Sequence, residues 1–503
     1  MNTWLRTQPL FVLLLGISSL LMYFPMIYSM RLEDWLYART FFYHGTFFLI
    51  LTSIISIAFL SRKPSTKSVS HILDLFCSFI FIPVFLAIPL DYLVPSINLF
   101  DAYFEMLSSL TTTGASLFRD PKNLPDVLHL WRAIIGWSGG FLMLVTALGL
   151  FQPIGLGGFE VYDQSHKITS LETRIKRADM RVRMGTYTAS IFPIYAGLTV
   201  VMSLLLIING DRPLVAVIHA MSTFSTSGIS NVGGMSGSHS GVFGEIIIAL
   251  FLIFAVSRFM YQQDSDGHGM RRLLRDKEVN LMLICVTVIP FLLFVRHWSS
   301  AIEISNQVNF VAALSALWGG VFMVLSFLTT TGFESEYWNA SRAWSGLGTS
   351  GLILMGLAVM GGGIATTAGG VKLLRLYALY KHGIREMQRL SFPSSVVGSG
   401  NAARSFRREG AYAAWIFFML FLISLAVIML MLSLTGIPFE DSIILAVSGL
   451  STTGPLIYVA GESGLDYASI STSAKAIFCV AMILGRLEAL AVIAVLNPNF
   501  WLK

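Results

Sequence analysis

Long apolar stretches separated by short polar segments extend over almost the whole 503-residue chain. A helix needs about 20 apolar residues to cross a bilayer, and many of these stretches reach that length. Apolar runs at 9–29 and 41–60 predict an N-terminal pair of spanning helices joined by a short polar loop. We interpret the first run as a retained helix, because it is longer than the core of a signal peptide.

After this pair, one pattern of elements occurs four times. A long apolar helix is followed by a short amphipathic piece, a Ser/Thr segment with one glycine, and a second long helix. The pattern predicts ten spanning helices and four re-entrant segments in total. The predicted long helices lie at 72–94 and 131–151, 187–208 and 242–261, 279–296 and 346–382, and 410–434 and 474–496, and the short pieces at 99–110, 213–224, 308–328 and 438–450.

The four Ser/Thr segments share one short phrase. They read SSLTTTGAS from Ser108, TFSTSGIS from Thr223, LTTTGFES from Leu328 and GLSTTGPL from Gly449, and we call them Thr-Gly segments 1 to 4. Their glycines, Gly114, Gly228, Gly332 and Gly454, recur at intervals of 114, 104 and 122 residues. A single string of this kind is typical of a turn, but four at matching places predict a repeated architecture.

The predicted fold is therefore an all-α polytopic membrane protein. Four pseudo-symmetric helix–re-entrant loop–helix repeats surround a central pore, and an N-terminal helix pair is added to them. The expected divisions are the two-helix extension at 1–66, pore repeat 1 at 67–180, repeat 2 at 181–276, repeat 3 at 277–400 and repeat 4 at 401–503.

Composition and charge agree with a membrane protein. Only 12% of residues are charged and 55% are hydrophobic, whereas soluble domains carry about 25% charged residues. Basic linkers account for the net charge of +6, so nucleic-acid binding is not expected. The linkers at 61–71, 152–186, 257–278 and 371–409 hold 22 of the 34 Lys and Arg residues, which predicts that this side and both termini are cytoplasmic.

The Thr-Gly segments have a composition that suits a cation pathway. Non-helical backbone at membrane depth occurs where it is buried in protein or lines a water-filled cavity. Glycine permits a positive φ, so successive carbonyl groups can point the same way and replace the hydration shell of a cation. The short helices direct their negative C-terminal ends at the same cavity.

These four segments resemble the selectivity filter of the Trk/Ktr/HKT potassium transporter superfamily, and the chain is most similar to its TrkH type. The resemblance extends over nearly the whole chain, including the N-terminal helix pair. Members with serine in place of the first glycine favour sodium, so the four glycines imply K⁺ permeation. The longer TVGYG string of K⁺ channels is absent, and weaker discrimination against sodium is expected. The filter residues that the resemblance implies are Thr112, Thr113 and Gly114; Thr226, Ser227 and Gly228; Thr330, Thr331 and Gly332; and Thr452, Thr453 and Gly454.

The sequence GGGIATTAGG at 361–370, which we call the glycine-rich break, interrupts an apolar helix. Small residues in a spanning helix serve close helix packing, but ten residues so poor in helix formers favour an unwound stretch. It is not a phosphate-binding P-loop, because Leu373 follows Lys372 where Ser or Thr is needed. The resemblance implies an intramembrane loop that obstructs the pore below the filter, with gating residues Gly361, Gly362, Gly363, Thr366, Thr367, Gly369 and Gly370.

Arg486 lies inside the last apolar helix, next to Glu488. A buried arginine in a membrane is costly and indicates a functional site by default, although local pairing with Glu488 or a carbonyl is an alternative. The resemblance implies that Arg486 faces the pore near the break and controls conduction. Two further pairs of acids, Asp101 with Glu105 and Glu440 with Asp441, are expected as helix caps or as a vestibule that attracts cations.

The resemblance also implies partners. A separate nucleotide-binding ring protein of the TrkA type would dock on the cytoplasmic side, where the charged linker 172–183 is one candidate surface and otherwise a solvated face. The chain has no dinucleotide-binding fingerprint of its own, so ligand regulation would come from that partner. The family forms homodimers in the bacterial cytoplasmic membrane.

The expected function is K⁺ uptake, with no covalent cofactor and with K⁺ ions in the pore. A sodium-permeable or H⁺- or Na⁺-coupled symporter is the alternative, because the glycines say nothing about coupling. An intramembrane enzyme is not expected, since the chain contains no HExxH, GxSxG or paired intramembrane carboxylate motif. A purely structural scaffold would leave four re-entrant segments without a purpose.

Overall fold

A computed structural model describes residues 8–59, 68–155, 157–161, 180–257, 273, 276–301, 310–347, 349–391, 408–461 and 464–488. Within these ranges the chain is helical and contains no β-strand, as the sequence predicts. Seven helices are long and apolar enough to cross a membrane by length and composition. The chain is therefore a multi-pass membrane protein.

The N-terminal helix pair covers one side of the first repeat. Its first helix consists of Leu10–Leu21 and Tyr23–Arg31, and its second is Trp35–Ala58. The Phe41 ring meets the Trp131 ring at 5.5 Å between centroids, and the Phe48 ring meets that of Phe85 at 5.4 Å. Aromatic burial of this kind fixes the pair to repeat 1.

Each predicted repeat contains an outer helix, a short helix and an inner helix. The outer helices are Ser68–Leu93, Met180–Ile208, Lys277–Ala301 and Arg408–Ser433. The short helices are Leu99–Leu110, Pro213–Ser225, Phe310–Leu328 and Phe439–Leu450. The inner helices are Asp126–Thr146, Gly241–Leu252, Gly351–Met360 and Thr472–Leu487.

The prediction of ten spanning helices differs from the seven observed in the described residues. The difference lies in the inner helices of repeats 2 to 4. The inner helix of repeat 2 tightens into the 3-10 turn Ile253–Ala255, and that of repeat 3 ends at Met360 and resumes as Leu373–Ser391. In repeat 4 the helix ends before Glu488, whose φ is +61°, and residues 489–496 of the predicted span lie outside the described residues.

Two further short helices extend the chain beyond Thr-Gly segments 3 and 4. They are Trp338–Ser345 and Leu456–Ala460. The short helix of repeat 3 has 19 residues and is longer than the short helices of the other repeats. The sequence did not predict either of the two extra helices. The first is too polar, and the second too short, to show the repeating apolar positions that indicate a helix.

Burial follows a radial order that suits a bilayer. The outer helices expose large apolar side chains such as Val200, Phe291 and Leu430. The short helices are instead buried over their last two turns, and Phe104 packs against the rings of Tyr467 and Phe478 at 5.8 and 5.7 Å. The fold thus presents lipid-compatible helices outside and encloses the Thr-Gly segments at its centre.

Candidate ion-conducting site

The four Thr-Gly segments share an unusual backbone conformation. The threonine two residues before each glycine has a positive φ: 56° at Thr112, 53° at Thr226, 57° at Thr330 and 53° at Thr452. A β-branched residue in the left-handed region is strained and persists only where its surroundings impose it. Four repetitions of one strained conformation indicate a shared geometric requirement.

A serine six residues before each glycine supports this conformation. Its carbonyl accepts the N–H of the residue that precedes the glycine, at 2.8 to 3.0 Å (Thr113 to Ser108, Ser227 to Ser222, Thr331 to Ser326 and Thr453 to Ser448). The hydroxyls of Ser108 and Ser326 donate to the carbonyls that follow the glycines, Ala115 at 2.7 Å and Phe333 at 2.9 Å. These serines were not selected from the sequence, although their constant spacing was a usable signal.

The side-chain hydroxyl of the residue just before each glycine is hydrogen-bonded to the hydroxyl two residues earlier, at the end of the short helix. The oxygen-to-oxygen distances are 2.9 Å for Thr111 to Thr113, 3.0 Å for Ser225 to Ser227, 3.0 Å for Thr329 to Thr331 and 3.2 Å for Ser451 to Thr453. All these side chains are buried. These hydroxyl contacts therefore support each segment against its short helix. Ser227 makes the same contact with its hydroxyl as the threonines make in the other three segments.

The segments approach one another closely through glycine and carbonyl groups. A Cβ on Gly114 would collide with the carbonyl oxygen of Ser227, and a Cβ on Gly228 would collide with that of Thr331. Gly114, Gly228 and Gly332 have φ values of +72°, +65° and +79°. Carbonyl oxygens of successive repeats are thus brought together where no side chain fits.

The fourth segment departs from the expected equivalence of the four glycines. Gly454 does not take a positive φ, and its N–H donates to the Thr113 carbonyl at 2.6 Å. Pro455 follows it, and the proline ring lies against Gly228 and Gly332. The Tyr467 hydroxyl donates to the Gly454 carbonyl at 2.9 Å. Because proline restricts the chain after Gly454, segment 4 meets its neighbours differently.

Two buried glutamates hold the chain just beyond the segments. Glu105 is fully buried, pairs with Arg132 at 3.0 Å and accepts the Leu117 N–H at 2.5 Å. Glu245 accepts the Ser335 hydroxyl at 2.8 Å. The expectation that Glu105 caps a helix or lines a vestibule is therefore wrong, because its carboxylate is enclosed by donors.

The other predicted acids are distributed differently. Asn98 provides the cap of the first short helix by accepting the Asp101 N–H at 2.8 Å, and Asp101 pairs with Lys475 at 2.7 Å. Glu440 and Asp441 both lie in the first turn of the fourth short helix, where acidic side chains interact favourably with the positive end of the helix dipole. Glu440 is exposed, whereas Asp441 is buried.

The glycine-rich break is non-helical, so the alternative of a continuous helix packed through small residues is wrong. Nine of its ten residues are buried, and Gly370 is half-buried. Gly361 and Gly370 take φ values of +72° and +75° and carry the chain out of the helix and back. Within the break, Gly361 lies against the carbonyl of Gly369, so the segment folds back on itself.

The break lies directly against the Thr-Gly segments. The Gly369 N–H donates to the Thr330 hydroxyl at 2.7 Å. A Cβ on Gly369 would collide with the Ser451 carbonyl oxygen and the Thr452 hydroxyl. The structure thus brings together the predicted filter residues of repeats 3 and 4 and the predicted gating residues.

Arg486 contacts the break itself. Its Nη1 donates to the Thr367 carbonyl at 2.7 Å, and the side chain is buried. Of the two alternative partners expected for Arg486, Glu488 instead pairs with Arg375 at 2.7 Å, and a main-chain carbonyl, that of Thr367, is the one observed. The Lys372 ammonium donates to the Ala368 carbonyl, which adds a second buried cation to the same segment.

Some predicted features lie outside the described residues. They are residues 172–179 of the candidate docking linker, most of the basic linkers at 61–71 and 257–278, and the chain after residue 488.

Comparisons with known proteins agree on one family. A family model named TrkH and described as a cation transport protein matches residues 278–501. The potassium uptake protein TrkH of Salmonella typhimurium is 28% identical over 416 residues, which cover 81% of this chain and 80% of the relative. The potassium uptake protein TrkI of Halomonas elongata is 28% identical over 432 residues, covering 84% and 82%. The resemblance to the TrkH type is confirmed.

A solved structure agrees in fold. The crystal structure of the potassium transporter TrkH from Vibrio parahaemolyticus aligns with a TM-score of 0.82 over 99% of this chain and 100% of that chain, at 22% identity. The residues matched by the family model include Thr-Gly segments 3 and 4, the glycine-rich break and Arg486.

Proposed function

We propose that this protein conducts K⁺ across the cytoplasmic membrane of a bacterium through the four Thr-Gly segments. The observation that carries the proposal is the fourfold geometry of the segments, with a left-handed threonine and a bracing serine in every repeat. The names of the relatives, which are potassium uptake proteins, support K⁺ as the cargo.

The segments recognise the cation through their backbone. Carbonyl oxygens replace part of the hydration shell, and the negative ends of the short helices stabilise the positive charge. The filter residues are Thr112, Thr113, Gly114, Thr226, Ser227, Gly228, Thr330, Thr331, Gly332, Thr452, Thr453 and Gly454. Because segment 4 departs from the other three, the coordination is asymmetric.

The glycine-rich break acts as the gate. It contacts Thr330 from below and is held by the Arg486 guanidinium, so it obstructs the route away from the filter. Two buried positive charges, on Arg486 and Lys372, oppose the passage of a cation while the break is in this position. Its gating residues are Gly361, Gly362, Gly363, Thr366, Thr367, Gly369 and Gly370, together with Arg486.

Regulation comes from a cytoplasmic nucleotide-binding ring protein of the TrkA type that binds a homodimer of this chain. The basic linkers support an orientation with both termini in the cytoplasm. Each of the four predicted repeats contributes one segment to one pore per subunit.

The experiment is K⁺ flux into proteoliposomes with defined K⁺, Na⁺ and pH gradients. Gly332→Ser places a side chain where φ is +79°, and we expect the K⁺/Na⁺ permeability ratio to fall about tenfold, equivalent to about 1.4 kcal/mol. Gly356→Ser is the matched control, because Gly356 lies on an exposed helix face with open space around it.

Absence of K⁺ flux in the wild-type protein would contradict the proposed function. An unchanged reversal potential in Gly332→Ser would contradict the filter assignment alone. Flux that requires a Na⁺ or pH gradient would favour the symporter alternative.

A further inference from the structure

One contact of the glycine-rich break comes from an outer helix and not from the Thr-Gly segments. The Ile364 N–H donates to Oε1 of Glu278 at 2.8 Å. Glu278 is 1% exposed and Ile364 is fully buried. Glu278 lies at the start of the outer helix of repeat 3, which is 86 residues away in the chain.

Neighbouring contacts hold the backbone at Glu278 in place. Oδ1 of Asp276 accepts the Glu278 N–H at 3.1 Å, and Oδ2 of Asp276 accepts the Ser257 hydroxyl at 2.7 Å. Ser257 follows Val256, whose carbonyl oxygen lies against Gly363. The end of repeat 2 and the start of repeat 3 therefore meet at the break.

The contact has a physical reason. The chain leaves the helix at Gly361, so the Ile364 N–H has no carbonyl one helical turn earlier to donate to. A buried N–H without a partner is costly, and a carboxylate acceptor makes a charge-assisted hydrogen bond that is stronger than a neutral one. A buried carboxylate is itself costly, and the Ile364 N–H provides the Glu278 carboxylate with a hydrogen-bond donor.

We propose that Glu278 is a positioning residue for the gate, which holds the glycine-rich break closed through the Ile364 N–H. This inference rests on the proposed function of the break. Arg486 and Thr330 hold the break at Thr367 and Gly369, and Glu278 holds it at Ile364, nearer its start. Release of the Glu278 contact lowers the stability of the closed position relative to the open one.

The test compares three variants in the full-length protein. Glu278→Ala removes the acceptor, Glu278→Gln keeps an amide oxygen that can accept the same N–H, and Asn280→Ala is an exposed control on the same helix. Hydrogen exchange of the peptide that contains Ile364 reports the contact directly. K⁺ flux into proteoliposomes without added partner reports the closed state.

We expect Glu278→Ala to speed this exchange and to raise partner-independent flux about tenfold, the factor that corresponds to about 1.4 kcal/mol. Glu278→Gln should restore most of both wild-type values, and Asn280→Ala should change neither. In a background that lacks residues 363–369, Glu278→Ala should have no further effect on flux, because its partner is gone.

Two results would overturn the proposal. Unchanged exchange at Ile364 in Glu278→Ala would show that the contact does not hold the break. Faster exchange with unchanged flux would show that the contact has no bearing on gating. Wild-type protein without any K⁺ flux would instead overturn the proposed function, while the exchange measurement still reports the contact.

Discussion

Individual threonines and serines carry most of the geometry of the candidate filter. A left-handed conformation costs roughly 1–3 kcal/mol at a residue other than glycine, and Thr112, Thr226, Thr330 and Thr452 all adopt it. The serine four residues before each of these threonines provides the carbonyl that offsets part of this cost. Identical residue types at constant spacing thus reflect one local constraint.

The serine brace can be tested with two adjacent residues. Ser108 donates to the Ala115 carbonyl beyond the glycine, whereas Ser109 donates to the Glu105 carbonyl within its own helix, and both are buried. We expect Ser108→Ala to destabilise the protein by about 1 kcal/mol and to lower K⁺/Na⁺ discrimination. Ser109→Ala should affect stability similarly and leave the reversal potential unchanged. Equal reversal potentials in both variants would contradict the role of Ser108 in supporting the filter geometry.

At the scale of elements, the inner helix of repeat 3 and the inner helix of repeat 4 form one unit. The break ends the first of them at Met360, and Arg486 of the second donates to the Thr367 carbonyl in the break. Gly369 in the same segment donates its N–H to Thr330. An element that is unwound and held by single hydrogen bonds from several directions can move without unfolding its neighbours.

Arg486→Ala tests this unit. The substitution removes a buried charge and the hydrogen bond to the Thr367 carbonyl. We therefore expect K⁺ flux without the partner protein to rise at least about tenfold, which corresponds to a free-energy change of about 1.4 kcal/mol. Deletion of residues 363–369 should have an effect in the same direction. The two changes together should not add, because they remove the same obstruction. Wild-type flux in Arg486→Ala would exclude a gating role for this residue.

At the scale of the whole molecule, contacts between repeats 4 and 1 close the arrangement. Lys475 on the inner helix of repeat 4 pairs with Asp101 at the start of the first short helix, at 2.7 Å. The side chains are 9% and 18% exposed, so the pair is only partly screened by solvent. Residues 374 positions apart thereby become neighbours.

This closure makes a prediction about stability. Asp101→Asn should lower the free energy of unfolding by about 1.5–3 kcal/mol, the range for a hydrogen bond to a charged group. The double exchange of Asp101→Lys with Lys475→Asp should recover part of that loss. Thermal unfolding of the detergent-solubilised protein measures both values, and equal midpoints for wild type and Asp101→Asn would contradict the prediction.

The sequence by itself determined the helical architecture, the order of the elements and the position of the interruption at 361–370. Apolar runs and glycine-rich strings are local signals, and Leu99–Leu110 shows how closely they predict an element. The contact between the candidate filter and gate followed only from the resemblance, since no local signal relates Thr330 to Gly369.

The tertiary structure decided which groups meet. Glu278 binds Ile364, Arg486 binds Thr367, and Glu105 is enclosed by donors instead of facing a vestibule. It also showed that segment 4 is unlike the others, since Gly454, which precedes Pro455, donates its N–H to the Thr113 carbonyl of the first repeat. These contacts join residues that are far apart in the chain, and buried polar groups take whichever partners the packed helices bring within reach.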